Sequence, residues 1–319
     1  MADTNVAGFI DDLNNLPNLV SSISLAPVWS KGLIEKNQFI YFVGMGSSYY
    51  AAQDVARQLR NNGYLAVAEI ASAITPKAFP ENSLVVAISA SGNSVEVIKF
   101  LENLPANVHS VALTREADSK ITKLVKEVLL LPIKAETGGV STWSYRATLI
   151  ALFQLLEKLG IAPSVKETCL NAQKQLQKLL DSKNQWLESF MNLTTSNSGI
   201  WLMSPAERSG SALQGALMFR EGPRVQADGC ETGDWSHVDV YLTKSLDYKA
   251  LMFTGSVWDQ QAIEWLVNRN SSFGSIGSYS KGNIASINIE DGDTLFKLLT
   301  ELLIPELMSA SLWREKTSV

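Results

Sequence analysis

Two stretches of sequence decide the fold: FVGMGSSYY at residues 42–50 and LVVAISASGNS at residues 84–94. Each places a short, continuously apolar run directly before a turn rich in glycine and serine, and each turn opens a helical pattern. Continuous apolar runs are typical of strands that are buried on both faces of a parallel sheet. The two stretches therefore predict two strand-to-helix connections in one buried parallel sheet.

The same alternation continues on both sides of these stretches. The opening forty residues predict helical turns, and further strands are predicted at 65–70, 110–113 and 128–131, with a helix at 141–159. After a polar connecting helix at 165–192, strands are predicted at 199–203, 238–242, 249–253 and 284–289, with helices at 211–221, 259–267 and 294–313. Strands alternating with helices indicate βαβ units. We therefore expect an α/β protein with two tandem doubly wound domains, at residues 1–162 and 163–319, each a mainly parallel sheet flanked by helices.

The composition excludes several classes of function. The chain of 319 residues has 27 Lys and Arg against 32 Asp and Glu, a formal net charge of -5, so it lacks the basic footprint of a nucleic-acid binder. Two histidines and two cysteines are too few for a multi-histidine metal site or a disulfide framework in one chain. The acidic start is unlike a signal peptide, and the apolar stretch at 147–156 is too short to span a membrane. We expect a cytoplasmic protein that binds a small molecule, with no nucleic acid, membrane or metal.

The first turn, residues 44–49, has the features of an anion-binding turn. Its glycines let the backbone approach a ligand, and the free amides of a helix start favour a phosphate. Tyr49 stands where the dinucleotide fingerprint needs glycine, and the Gly-Lys-Ser/Thr ending of a P-loop is absent. The alternative is that Ser47 only caps the helix.

The second turn strengthens the phosphate interpretation. Residues 88–94 hold three hydroxyls around one glycine, with no lysine or arginine. Such a turn can bind phosphate through hydroxyls and backbone amides alone. Because both turns follow strands of one parallel sheet, they point to the same edge, where α/β sheets bind ligands.

Five segments in consistent order resemble the sugar isomerase (SIS) family, in particular the isomerase half of glucosamine-6-phosphate synthase and its stand-alone relatives with two SIS domains. They are GMGSSYYAA (44–52), ISASGNSVEV (88–97), ETGGVSTWSYRATL (136–149), SALQGALMFREGPRV (211–225) and ETGDWSHVDVYL (231–242). The resemblance implies a homodimeric aldose–ketose isomerase or isomerising deaminase that acts on a hexose or hexosamine phosphate and needs no cofactor. Because the SIS-like sequence begins almost at once, we expect no glutaminase domain.

The resemblance also assigns roles to residues. Glu221 corresponds to the glutamate that moves a proton between C1 and C2, which requires a carboxylate of poised pKa. His237 corresponds to a ring-opening histidine, often supplied across the dimer interface, and Lys316 to a tail lysine that assists ring opening or forms an imine. The residues implied to bind the sugar phosphate are Gly46, Ser47, Ser48, Ser89, Ser91, Ser94 and Ser141.

Each catalytic assignment has a structural alternative. Glu221 could simply pair with Arg220 or Arg224, His237 could be a structural histidine, and Lys316 could belong to a frayed terminus. Cys230 has no basic neighbour in sequence, so we expect an unreactive thiol.

The sequence also departs from the family pattern. Ala90 and Asn93 replace glutamine and glutamate in the second turn, and Val238 and Asp239 replace a common Gly-Pro. Residues 204–206 lack the glycines of a phosphate turn, so we expect the second domain to have no phosphate site of its own. Two alternative functions stay open, a deglycase acting on fructosamine phosphates and a non-catalytic sugar-phosphate sensor.

Overall fold

A computed structural model describes residues 4–23, 29 and 39–317. The chain divides into two compact units. The first unit holds the described residues of 19–135 and 141–169, and the second unit those of 1–18, 136–140 and 170–319.

The helices and strands are numbered in chain order. The helices are α1 (Val6–Asn14), α2 (Leu16–Ile23), α3 (Ser47–Asn61), α4 (Val95–Glu102), α5 (Trp143–Lys158), α6 (Val165–Asp181), α7 (Lys183–Met191), α8 (Ser209–Glu221), α9 (Thr232–Trp235), α10 (Asp259–Asn268), α11 (Thr294–Thr300) and α12 (Leu303–Thr317). The strands are β1 (Phe39–Gly44), β2 (Leu65–Ile70), β3 (Leu84–Ile88), β4 (His109–Thr114), β5 (Glu127–Leu130), β6 (Ile200–Ser204), β7 (Ala227–Glu231), β8 (Lys249–Phe253), β9 (Ser272–Gly277) and β10 (Ala285–Asn288).

Each unit is built on a five-stranded parallel sheet. The first sheet has the order β2-β1-β3-β4-β5, and the second has β10-β9-β8-β6-β7. Every strand pair is parallel. Listing the second sheet from its β7 end gives the same chain-order pattern as the first, so the two units repeat one topology. The expected fold, two tandem doubly wound α/β domains, is confirmed.

The central strands of each sheet are formed by the continuous apolar runs of the sequence. Strands β3 and β6 are buried at every position, and β1, β4 and β8 at all but their first. Strands buried on both faces need a continuous apolar sequence, and this is the pattern that predicted them.

Several predicted elements differ in the structure. The strand predicted at 238–242 is wrong, because a 3-10 helix occupies Asp239–Lys244. The connecting helix divides into α6 and α7 at Ser182. The final helix divides into α11 and α12, since Pro305 lacks an amide donor and is tolerated only in the first turn of a helix. Of the opening helical turns, α1 and α2 are present, and residues 24–28 and 30–38 lie outside the described residues.

The division into units differs from the predicted boundary between residues 162 and 163. It falls at residue 169, and it places α1 and residues 136–140 with the second sheet. Phe9 of α1 packs against Trp313 of α12, with ring centroids 6.0 Å apart. The buried Asp12 carboxylate ties residues 136–140 to α1, because it accepts hydrogen bonds from the Thr137 amide (3.1 Å), the Thr137 hydroxyl (2.7 Å) and the Gly138 amide (2.8 Å). No helix in the described ranges is both long and apolar enough to cross a bilayer.

Candidate functional site

The two serine-rich turns lie side by side at the carboxyl edge of the first sheet. They follow β1 and β3, which are neighbours in register, with Val43 opposite Ala87. Neighbouring strands are about 4.8 Å apart. The strand order reverses between β1 and β3, and sheets of this order bind ligands at that point. The topology of this unit thus places both turns at the same edge of the sheet.

The first turn presents unpaired amides. Gly46 has φ +50° and is the N-cap residue of α3, so Ser47 begins the helix rather than capping it. The backbone amides of Gly46, Ser47 and Tyr49 donate no hydrogen bond to the described part of the chain. These are donors that a helix start leaves without an internal partner. The turn therefore offers a cluster of N–H groups to an anion.

The hydroxyls of this turn are also available. Ser47 and Ser48 are half-buried, and across the described ranges neither side chain makes a hydrogen bond. A hydroxyl donates one hydrogen bond and accepts two. Both side chains can therefore donate to a phosphate oxygen without breaking an existing contact.

The second turn depends on Gly92. Its φ is +64°, and a Cβ at this position would overlap with the hydroxymethyl group of Ser119. Within this turn Ser89 is buried, and the exposed Ser91 accepts a hydrogen bond from the Asn93 amide at 3.3 Å. Glycine is thus required for the close packing that shapes the turn.

A carboxylate modifies the second turn. Ser94 donates its hydroxyl hydrogen bond to Glu96 at 2.8 Å. The backbone amide of Glu96 and this hydroxyl lower the pKa of the exposed Glu96 carboxyl. The turn is therefore not the purely neutral cradle that the sequence predicted, and Ser94 must exchange its partner to donate to a phosphate.

Arg115 connects the second turn to the predicted Ser141 segment. The Arg115 amide donates to the carbonyl of Ala90 (3.2 Å), and its guanidinium donates to the Ser144 hydroxyl (3.4 Å) in the first turn of α5. Ser141 is half-buried just before that helix. Arg115 was not among the predicted site residues, although its position directly after an apolar run places it at the carboxyl edge of the sheet. The segment containing Ser141 and a positive charge are thus tied to the edge that carries the phosphate turns.

Glu221 and Lys316 belong to the second unit, where the structure brings their segments together. Glu221 is the half-buried last residue of α8. Lys316 lies in the last turn of α12, and its Nζ donates to the carbonyl of Pro223 at 3.2 Å. The side chain of Trp313 packs against Gly222 between them. The alternative of a frayed terminus does not apply to Lys316, because α12 continues to Thr317.

His237 does not join this pair within one unit. The Ile200 amide bonds to the Gln226 carbonyl (3.1 Å), so the chain leaving α8 after Glu221 returns to the start of β6. Ser204, at the end of β6, pairs with Glu231, which leads into α9 and the exposed His237. A five-residue strand spans roughly 16 Å. Glu221 therefore lies near the amino ends of the strands of the second sheet, and His237 lies beyond their carboxyl ends, at the opposite edge.

In the second sheet, the protein's own carboxylate occupies the turn equivalent to residues 89–94. This turn follows β8, and the Asp259 carboxylate accepts a hydrogen bond from the Gly255 amide at 2.6 Å. Burial raises the pKa of Asp259. A carboxylate thus fills the place of an anion here, which supports the expectation of no second phosphate site. Among the described residues, no cluster of three or more histidine, cysteine and acidic side chains could hold a metal ion.

Comparison with known proteins identifies the family that part of the chain resembles. Residues 33–158 match the family model of the SIS domain. The resemblance inferred from the five motifs is confirmed.

The chain is also similar in sequence to curated proteins. The chain is 27% identical over 210 residues to a glutamine–fructose-6-phosphate aminotransferase (isomerizing) of Methanocaldococcus jannaschii, covering 64% of this chain and 19% of the relative. It is also 27% identical over 235 residues to the same enzyme of Methanococcus maripaludis, covering 69% of this chain and 38% of the relative. The chain thus spans about a fifth to two fifths of the relatives' length.

Solved structures share the fold along nearly all of the chain. The C-terminal domain of glucosamine-fructose-6-phosphate aminotransferase from Francisella tularensis superimposes with a TM-score of 0.81 at 16% identity, covering 96% of each chain. Tagatose-6-phosphate ketose/aldose isomerase from Escherichia coli gives 0.79 at 13% identity, covering 99% of this chain and 96% of that one. Glucosamine-6-phosphate deaminase from Thermotoga maritima gives 0.73 at 16% identity, covering 97% and 95%.

Proposed function

We propose that this protein is an enzyme that binds a hexose or hexosamine phosphate and transfers a proton between C1 and C2, as an isomerase or an isomerising deaminase. One observation carries the proposal: two serine-rich turns lie at the strand-order reversal of the first sheet, and the first of them has backbone amides that donate no hydrogen bond to the described part of the chain. Their donors suit a phosphate ester. The names of three similar proteins each include a phosphosugar. They are an isomerising aminotransferase, an isomerase and a deaminase.

We assign the proton transfer to Glu221. After the ring opens, its carboxylate takes the proton from C2 of an aldose, the electron pair forms a double bond between C1 and C2, and the carbonyl electrons move onto the C1 oxygen. The hydroxyl proton at C2 passes to the C1 oxygen, and the protonated Glu221 returns its proton to C1 as the C2 oxygen becomes the ketone carbonyl. Glu221 is half-buried at the end of α8, and a positioned carboxylate is the kind of general base that this proton transfer needs.

Ring opening is assigned to His237, with Lys316 assisting. Because Glu221 and His237 of one chain lie at opposite edges of the second sheet, the proposal requires a homodimer in which His237 of the partner subunit serves the site of Glu221. Lys316 needs no partner subunit, since its Nζ already bonds two residues beyond Glu221.

The test is proton exchange in deuterated water. The protein is incubated with a panel of hexose and hexosamine 6-phosphates, and NMR follows deuterium entering C1 or C2. We expect exchange with the wild type and its loss in Glu221→Gln, while Glu188→Gln, an exposed-helix control, keeps it. Released ammonium identifies a deaminase, and a released amine or amino acid identifies a deglycase. Thermal stabilisation by a sugar phosphate without any exchange would contradict the enzyme proposal and favour a sensor.

A further inference from the structure

A cavity with a volume of about 630 Å³ lies at the carboxyl edge of the second sheet. Its walls come from residues that end or follow four neighbouring strands, β6, β8, β9 and β10. The residues used below are Glu207, Arg208, Thr254, Ser278, Asn288 and Lys297. The cavity has no role in the function proposed above, although parallel α/β sheets bind their ligands at this edge and small-molecule sites have about this size, roughly 300–1,000 Å³.

The buried wall of the cavity is held by an ion pair and a chain of hydrogen bonds. The Arg208 guanidinium lies 2.9 Å from the Glu301 carboxylate and donates to the Thr254 carbonyl at 2.7 Å. The Thr254 hydroxyl accepts hydrogen bonds from the Ser278 amide (2.9 Å) and the Ser278 hydroxyl (3.0 Å). Because these contacts join the ends of three strands and pair the two buried charges, this wall is preformed and has no net charge.

Two groups of opposite charge face a ligand from the other walls. Glu207 is exposed, and its carboxylate forms no hydrogen bond or ion pair in the described part of the chain. The Lys297 side chain is only 17% exposed, and its ammonium donates to the Glu290 carbonyl at 2.8 Å. The contact of Lys297 with the fully exposed Asp291 carboxylate is long, at 3.8 Å. Since an ammonium has three donors, Lys297 keeps donors for a ligand.

The mixture of groups in the walls selects the class of ligand. A phosphate would meet the carboxylates of Glu207 and Asp291, and a simple cation would meet the ammonium of Lys297. Ser278 and Asn288 add a hydroxyl and an amide, so the walls also favour hydrogen-bonding groups in the ligand. A small molecule with an ammonium, a carboxylate and a polar side chain meets all of these conditions.

The cavity is remote from the proposed catalytic carboxylate. Arg208 directly precedes α8, and Glu221 is the last residue of that helix. A helix of 13 residues is about 20 Å long at 1.5 Å per residue. A small ligand in the cavity therefore does not reach Glu221, and it differs from the substrate of the proposed reaction.

We propose that this cavity is a second ligand site, which binds a free polar α-amino acid. The ammonium of the amino acid pairs with Glu207, its carboxylate pairs with Lys297, and its side chain forms hydrogen bonds with Ser278 and Asn288. The site lies within the second unit, so it does not depend on the phosphosugar site of the first.

Calorimetry on the full-length protein with L-serine, L-asparagine and L-glutamine tests the assignment. We expect at least one of the three to bind with a Kd of about 1 mM or lower. Two derivatives of the tightest binder are then compared with it, the N-acetyl form, which lacks the ammonium, and the α-amide, which lacks the carboxylate. Each should bind about tenfold more weakly, because each loses one charge-assisted hydrogen bond.

Single substitutions assign the two contacts. Glu207→Gln should weaken binding of the amino acid about tenfold and remove its advantage over the N-acetyl form. Lys297→Met should weaken it to a similar extent and remove its advantage over the α-amide. The controls Glu188→Gln and Lys281→Met make the same charge changes at exposed positions of the second unit, and they should keep the affinity within about twofold.

The outcomes separate this site from the phosphosugar site. Absence of binding by all three amino acids, or equal losses in the variants and their controls, would overturn the assignment. Loss of binding in Ser47→Ala/Ser48→Ala would also overturn it, because the amino acid would then lie at the first unit. Binding of an amino acid by a protein that binds no hexose 6-phosphate would support this site and contradict only the phosphosugar proposal.

Discussion

Gly92 shows how one residue shapes the site. In Gly92→Ala, the left-handed φ and the overlap with Ser119 act together, so we expect a loss of about 2–4 kcal/mol in the free energy of unfolding. Gly63→Ala is the matched control, because φ there is +83° with nothing within 4 Å, and it should cost about 1 kcal/mol. Urea unfolding measures both. Equal losses would show that Ser119 does not constrain the turn.

The first turn is expected to contribute to binding rather than to stability. In Ser47→Ala/Ser48→Ala no hydrogen bond within the described chain is lost, so the thermal midpoint should stay within about 2 °C. The affinity for a hexose 6-phosphate should fall at least tenfold, because hydrogen bonds to a charged group contribute about 1.5 kcal/mol or more. Calorimetry checks this. Unchanged affinity would remove these hydroxyls from the site.

The reactivity of Cys230 tests the environment of its thiol. Burial, together with the negative charge of Asp239, raises the pKa of its thiol far above the usual value. The raised pKa keeps the thiol protonated at neutral pH, and only the thiolate is a nucleophile. Iodoacetamide at pH 8 should therefore leave Cys230 of the folded protein unmodified by mass spectrometry and alkylate it after unfolding in urea. Rapid alkylation of the folded protein would contradict this environment.

At the scale of elements, the Asp12 carboxylate ties helix α1 to residues 136–140. Asp12→Ala removes three accepted hydrogen bonds and leaves the buried Gly138 amide without its acceptor. We expect a loss of about 2–4 kcal/mol in the free energy of unfolding, measured by urea titration. The neighbouring Asp11 is exposed, and Asp11→Ala should change it by less than about 0.5 kcal/mol. Similar effects at both positions would show that the buried contact does not hold α1.

The sequence predicted strands that are largely apolar, both central ones such as β3 and β8 and the more exposed edge strand β2. The runs at 65–70, 84–88 and 249–253 coincide with β2, β3 and β8. Strands β7 (ADGCE) and β9 (SFGSIG) were missed, because glycine and polar residues interrupt their apolar pattern. Their partners in the sheet, rather than their own sequences, make them strands.

The same limit applies to the candidate site. A turn that directly follows an apolar run must lie at the carboxyl edge of the sheet, and its residue types are read from the sequence. The serines of both turns could therefore be predicted. The hydrogen bond of Ser94 to Glu96 and the contact of Arg115 with the second turn depend on side-chain geometry. That Glu221 and His237 lie at opposite edges follows from the course of the chain around β6, which spacing in the sequence does not encode.

At the scale of the whole molecule, one topology occurs twice with different turns. The first unit presents serine hydroxyls in the turns after β1 and β3, whereas the Asp259 carboxylate fills the turn after β8 in the second unit. We therefore expect one phosphate site per chain. Calorimetric titration with a hexose 6-phosphate should give a stoichiometry near one, and a stoichiometry of two would contradict the difference between the units.

The dimer requirement is also testable on the whole molecule. Inactive Glu221→Gln and inactive His237→Ala proteins are mixed, unfolded and refolded together. If His237 of the partner subunit serves each site, mixed dimers contain one intact site and recover about a quarter of wild-type activity, because half of randomly paired dimers are mixed. Two inactive proteins that stay inactive after mixing would contradict the shared site.

The most direct test of the central claim is a crystal structure of the full chain with a hexose 6-phosphate. We predict the phosphate within hydrogen-bond distance of the Gly46–Ser48 amides and hydroxyls and of the serines at 89–94. Phosphate bound elsewhere on the chain, with both turns empty, would contradict the account.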